Sequence, residues 1–288
     1  QGAGAGGRAC AGDAGRGGLP AGGRAGGAVI ASGRQETGQV AEGQDRRQGV
    51  WEAGSVKAFL KAEGLVKRYG HIHALRGVDL EVARGRSVVL LGPNGAGKST
   101  LLGILAGRVR PTTGRVTIED RDIRSGSGWR GQTGYLAHAS LVYPGLTAME
   151  NLIFYGRLYG LEDPLSRAEE MLRFMGLWDR RNDRAGGFSR GMEQRLAIGR
   201  ALLHSPDLIL LDEPFSGLDY QSSRAFARAL EALRDGHRTL VIATHDMDAV
   251  GELGEAVVVL GKGKVLHVGP VQPDMKTMYV EILQGSGP

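Results

Sequence analysis

The chain has 288 residues, 41% of them hydrophobic and 23% charged, the proportions of one or two globular domains. A single cysteine, Cys10, excludes a disulfide scaffold, and no apolar run nears the ~20 residues that span a bilayer. The net charge of +5 is mild for this length and is read as a solvated surface, so no nucleic-acid partner is expected.

Residues 1–55 are a low-complexity tract of Gly, Ala, Arg and Gln. Such a tract buries too little apolar surface to offset its ordering entropy, so it is expected to be disordered or not native. Because no methionine precedes Met149, translation is expected to start near Val56. The opening residues have no apolar core of a secretory signal, so a cytoplasmic location is expected.

From 56 to 288 the pattern becomes that of an α/β domain. Strands are expected over Ala58–Arg68, Val78–Val82, Ser87–Leu91, Thr113–Ile118 and Thr133–Leu136. Capping boxes at Thr147–Glu150 and Ser166–Glu169 are expected to open helices over Met149–Tyr159 and Arg167–Met175. A helix over Gly191–Leu203, a strand over Leu208–Leu211, a helix over Ser222–Arg234 and a strand over Leu240–Thr244 follow. Val257–Leu260 and Lys264–Val268 end the series as a hairpin. Continuous apolar strands alternating with helices indicate a mostly parallel sheet covered on both faces. The strand-free stretch at about 139–190 reads as a helical subdomain inserted into that core. Met171, Phe174, Met175 and Trp178 are expected in its interior.

The tract Gly92-Pro93-Asn94-Gly95-Ala96-Gly97-Lys98-Ser99-Thr100 fits the phosphate-binding pattern G-x-x-x-x-G-K-[ST]. Its glycines let successive backbone amides turn toward phosphate oxygens, and the helix that follows presents its positive end. Lys98 supplies a point charge for the β- and γ-phosphates, and the Ser99 hydroxyl is a ligand for Mg²⁺. The pattern indicates a P-loop fold without naming the machine, since kinases, GTPases and motors share it.

Farther on, Leu208-Ile209-Leu210-Leu211-Asp212-Glu213-Pro214 sets two carboxylates at the end of a buried strand. Doubly wound sheets carry their chemistry at that end. Asp212 is suited to hold Mg²⁺, and Glu213 to orient or deprotonate an attacking water. With Phe188-Ser189-Arg190-Gly191-Met192-Glu193-Gln194-Arg195 ahead of this strand, the chain resembles the ABC ATPase family, whose signature is usually written LSGGQ. The resemblance covers about Val56 to Gln284. Within it, Phe215-Ser216-Gly217-Leu218-Asp219 resembles the D-loop, His245 the switch histidine that contacts the γ-phosphate, and Tyr69 the aromatic that stacks on adenine. A core tyrosine remains the alternative for Tyr69, and a structural histidine for His245.

The resemblance implies an ATP hydrolase with ATP and Mg²⁺ as cofactors, an N-terminal antiparallel β part and a head-to-tail dimer. Ser189, Arg190, Gly191 and Asp219 would act in trans across that dimer. It also implies integral membrane permease subunits on separate chains and a peripheral place on the cytoplasmic face of the cell membrane. Phe154 and its neighbours Leu152, Ile153 and Tyr155 would border the groove for the permease's coupling helix. The chain departs from the usual pattern at His138, at Arg190 and at Met192, which stands for the signature Gln. His138 stands where the Q-loop glutamine is expected, with Gln132, ahead of the strand, as its rival, and is expected to act through a water or in coupling, since imidazole suits Mg²⁺ poorly. Arg190 replaces a signature glycine, with either the phosphates or solvent as its destination. Gly199 lies inside a helix at a cost of about 1 kcal/mol against alanine, with no functional account. The strings Gly134–His138, Leu146–Leu152 and Phe188–Met192 are similar to the ATP-binding subunit of the haem exporter of cytochrome c maturation. Another ABC exporter, for a drug, ion or polysaccharide, is the alternative. A soluble ABC ATPase in translation or DNA maintenance, or a small-molecule kinase, is less favoured.

Overall fold

Two long strands open the described fold: β1 (Ala58–Tyr69) and β2 (Ile72–Ala83) pair antiparallel, and their hairpin turns at Gly70, φ +58°. The structure, a computed structural model, describes residues 57–126, 128–137 and 139–285. The expectation for residues 1–55 therefore lies outside the described residues, as does that for His138. β3 (Ser87–Leu91) is buried at every residue and leads through the glycine-rich loop into α1 (Lys98–Leu105). β4 (Thr113–Ile118) pairs antiparallel with β1, and β5 (Arg121–Asp122) with β4. After β6 (Thr133–Leu136) come α2 (Ala148–Leu158), α3 (Pro164–Phe174) and α4 (Arg190–Leu202) with no named strand between them. β7 (Leu208–Asp212), α5 (Tyr220–Ala232), β8 (Thr239–Ala243), α6 (Met247–Leu253), β9 (Ala256–Gly261), β10 (Lys264–Pro270) and α7 (Met275–Gly285) complete the order.

The strands form a four-stranded antiparallel sheet, β2-β1-β4-β5, and a six-stranded sheet, β10-β9-β3-β8-β7-β6. In the larger sheet every pair is parallel except β10 with β9. Every residue of β3, β7, β8 and β9 is buried, which is why these strands read as unbroken aliphatic runs. α1 lies between the two sheets: Leu101, Leu102, Ile104 and Leu105 are inaccessible to solvent and share a core with Leu60 and Leu65 of β1 and Leu90 of β3. On the other face, α2, α3, α4 and α5 bury Leu152, Leu172, Ile198 and Leu230 against Ile209, Leu211 and Ile242.

The helical stretch differs from expectation at three points. α3 starts at Pro164 with Asp163 as its cap, accepting from the Ser166 amide at 3.0 Å, three residues before the expected Ser166 box. Asp followed by Pro at the first helical position is the stronger start signal. Met171 and Met175 are buried as expected, whereas Phe174 is 43% exposed. Gly199 has a packing reason: a Cβ there would sit 3.1 Å from Met171 Cγ and 3.3 Å from Met175 Cγ, so its small size lets α4 press on α3. α6 and α7 were not legible in the sequence. The expected box at Thr147 and Glu150 is present with both of its hydrogen bonds.

The loop before α2 is fixed by Asn151, which is 1% exposed. Its side chain accepts from the Tyr143 amide at 2.8 Å and donates to the carbonyls of Tyr143 and Thr147 at 3.0 and 2.9 Å. Replacing Asn151 by Ala strands these buried groups. A loss of about 2–4 kcal/mol is expected in urea unfolding, with an unchanged denaturant slope.

Candidate active site

The C-terminal ends of β3, β8 and β7, adjacent in the sheet, bring three loops together. The loop after β3 is the phosphate-binding tract. Gly97 has φ +106° and Gly92 φ +156°. A Cβ on Gly97 would sit 2.6 Å from the Ala74 carbonyl oxygen, and one on Gly92 2.4 Å from that of Leu260. The loop is thus pressed between β2 and the end of β9. The Gly263 amide adds a bond to the Ala96 carbonyl at 3.1 Å. Within the tract, Ala96 and Lys98 are buried, Gly97 and Thr100 half-buried, and Pro93, Asn94, Gly95 and Ser99 exposed.

α1 begins at Lys98 with no side-chain cap and no acidic residue in its first turn. Its positive end is therefore unopposed by a side-chain carboxylate on its own first turn, as an anion site requires. Lys98 is 7% exposed, and its ammonium donates back to the Gly92 carbonyl at 2.7 Å. The ammonium also stands 3.8 Å from Glu213 Oε1.

The loop after β7 carries the acidic pair. Asp212 ends the strand and is 3% exposed. Glu213 has φ +50°, a left-handed conformation that a non-glycine residue seldom adopts. Its amide donates to the Ala243 carbonyl at 2.8 Å, which ties this loop to the end of β8. The same turn brings Glu213 Oε2 within 2.8 Å of His245 Nδ1. His245 is otherwise open to solvent, and neighbouring Thr244 is buried. Burial, with the Asp212 carboxylate next, pushes the Tyr135 phenol upward.

Tyr69 ends β1 and is 48% exposed, so it is not a core tyrosine. The Lys67 ammonium, donating to the Arg110 carbonyl at 2.9 Å, lies 4.7 Å from the centre of its ring. Ser189 is exposed and caps α4, accepting from the Met192 amide at 3.3 Å. Gly191 is half-buried in that first turn and Asp219 is exposed. The sequence reading missed Ser140, Glu193, Gln194 and Ser216, which line a cleft with Arg190, Asp212 and Glu213. The signal for Gln194 was its place four residues after Arg190, on one helix face.

Among the described residues no group of three or more His, Cys, Asp or Glu could hold a metal ion. His204 is structural: it stacks on Tyr159 with ring centres 3.9 Å apart, and burial holds its pKa down to about 4. Arg180 pairs with Asp183 at 2.7 Å, and Arg181 lies over the Trp178 ring.

A buried lysine at a glycine-rich turn, facing a carboxylate that follows the parallel strand next but one in the sheet, defines a P-loop nucleotide hydrolase. Comparison with known proteins narrows this. The family described as "ABC transporter" matches residues 75–216. The Bacillus subtilis "ABC transporter ATP-binding protein NatA" is 37% identical over 212 residues, 70% of this chain and 83% of that protein. The "Linearmycin resistance ATP-binding protein LnrL" of the same organism is 35% identical over 214 residues, covering 73% and 69%. Among solved structures, a dimer of the ATP-binding cassette MJ0796 in a post-hydrolysis state, bound to ADP and Pi, matches with a TM-score of 0.69 and 29% identity. That match covers 74% of this chain and 99% of the cassette. The chain belongs to the ABC transporter ATP-binding family: it binds ATP, and its hydrolysis is coupled to transport.

The glycine geometry sets a direct expectation. Gly97→Ala forces a Cβ against the Ala74 carbonyl in a disfavoured backbone region, at a cost on the order of 2 kcal/mol or more. Thermal melts should show a lower Tm, and the upward shift that Mg·ATP gives the unsubstituted chain should be lost.

Proposed function

We propose that this chain is the ATP-hydrolysing subunit of a membrane exporter and works as a head-to-tail dimer, most simply a homodimer. The observation that carries the reading is the meeting of Lys98, Asp212, Glu213 and His245 at adjoining ends of β3, β7 and β8. Lys98 and the amides of Gly92–Thr100 hold the phosphates, and arrival of phosphate draws the ammonium from the Gly92 carbonyl. Glu213 orients and deprotonates the water. His245, already bonded to Glu213, holds that carboxylate toward the γ-phosphate. Tyr69 offers the adenine a solvent-facing ring, with Lys67 fixed beside it.

Ser99 and Asp212 are hard oxygen donors, the chemistry that suits Mg²⁺, and are the residues that would hold it. The ion would neutralise charge on the phosphate oxygens. His138 is proposed to act on the same region in coupling rather than as a direct ligand. In the dimer, Ser189, Gly191 and Asp219 approach the partner's nucleotide, with the positive end of α4 aimed at the γ-phosphate. The dimeric MJ0796 cassette supports this pairing by likeness of fold.

Membrane attachment goes through permease subunits. No helix among the described residues is long and apolar enough to cross a membrane. The helical subdomain, about 139–190, instead exposes Tyr143, Phe154 and Leu158 at 47%, 37% and 66%. Such a cluster fits an apolar coupling helix on the cytoplasmic face. Haem is the narrower proposal for the cargo and rests on the three strings that include Gly134–His138. Relatives named for linearmycin resistance and for sulfate or thiosulfate import support a broader range of cargoes.

Glu213→Gln removes the base and keeps the shape. With permease partners present, hydrolysis is expected to fall by about 10²-fold or more. Light scattering in Mg·ATP should show a persistent dimer, against a monomer when nucleotide is omitted.

A further inference from the structure

The first two turns of α4 are wired to other loops of their own chain. Arg190 Nη2 donates to Ser216 Oγ at 3.2 Å. Its stem lies across Gly217, where a Cβ would stand 2.6 Å from Arg190 Cδ and equally close to its Nε. One turn later Gln194 Nε2 donates to the Pro214 carbonyl at 3.2 Å. Arg190 and Gln194, four residues apart, share a helix face, so both bonds grip one target. That target is the loop from Glu213 to Asp219. Its internal backbone bonds are short-range, from Ser216 N to Glu213 O and from Leu218 N to Phe215 O, each at 3.1 Å. Gly191 packs on the same loop, with its Cβ position 3.6 Å from the Gly217 carbonyl.

We propose that Arg190 is a positioning residue that acts within its own chain, clamping Ser216 and Gly217 and so setting the loop that bears Glu213. Its guanidinium does not serve the partner's phosphates. This rests on the role given to Glu213 above. Ser189 and Gly191, on the same turn as Arg190, meet the partner's nucleotide in that reading. The clamp therefore makes the turn that touches one nucleotide and the loop that serves the other a single mechanical unit. ATP engaged at one site then biases Glu213 at the other.

The test is steady-state ATP hydrolysis by the full chain and by Arg190→Ala, Ser216→Ala, the double variant and Arg190→Lys, with melting temperatures as a folding control. Each alanine variant is expected to lower kcat about fivefold, the rate equivalent of one hydrogen bond, with KM for ATP within about twofold. The double variant should match the more severe single one, since both remove the same bond. Arg190→Lys keeps a stem over Gly217 and a donor for Ser216, and should recover most of the rate. A raised KM with unchanged kcat in Arg190→Ala, or losses that multiply in the double variant, would overturn the clamp. Absence of Glu213-dependent hydrolysis in the unsubstituted chain would instead sink the underlying role of Glu213, and the clamp with it.

Discussion

At the end of β7 the Glu213 amide donates to the Ala243 carbonyl of β8 at 2.8 Å. Immediately after this last ladder bond the chain turns into the left-handed region, φ +50°, at a residue with a full side chain. Such a backbone costs roughly 1–3 kcal/mol and persists because the two strands beneath it are buried along their whole length. The bend puts one carboxylate oxygen 3.8 Å from the Lys98 ammonium and the other 2.8 Å from His245. Without it, the acidic pair would run on past the sheet and the three loops would share no centre.

Rigidity beneath the site comes from burial around β3. The strand lies between β9 and β8, and α1 seals it against the antiparallel sheet. The glycine-rich loop therefore leaves a fully buried strand and enters a helix packed into the core between the two sheets. The Gly97 and Gly92 approaches to Ala74 and Leu260 fix its path from both sides. Packing energy in the core thus becomes precision at the phosphate loop, which is the currency of electrostatic catalysis.

Much of this was legible in the residues. The phosphate-loop pattern and the run Leu208–Asp212 determine strand ends, because a fully buried parallel strand must be aliphatic and its chemistry must sit at its C-terminal end. Thr147 and Glu150 announced their helix through their own hydrogen bonds. What escaped depended on contacts distant in the sequence. Gly199 looked like a defect until α3 was seen pressed against it, and Phe174 looked buried because helix period does not say which face has a neighbour. The partners of Arg190 lie in a loop beyond β7, so the choice between phosphate and solvent omitted the destination the fold provides. α6 has seven residues, too few to display a periodic face.

In the proposed mechanism Lys98, held at a turn whose positive φ favours glycine, captures nucleotide for the carboxylates opposite. Calorimetric titration of Mg·ATP into the purified chain and into Lys98→Met tests it most directly. One site per chain is expected in the unsubstituted protein, with binding weakened about a hundredfold or more in the variant, as removal of a buried cation from a phosphate requires. Equal affinities in the two proteins, or no binding in either, would contradict it.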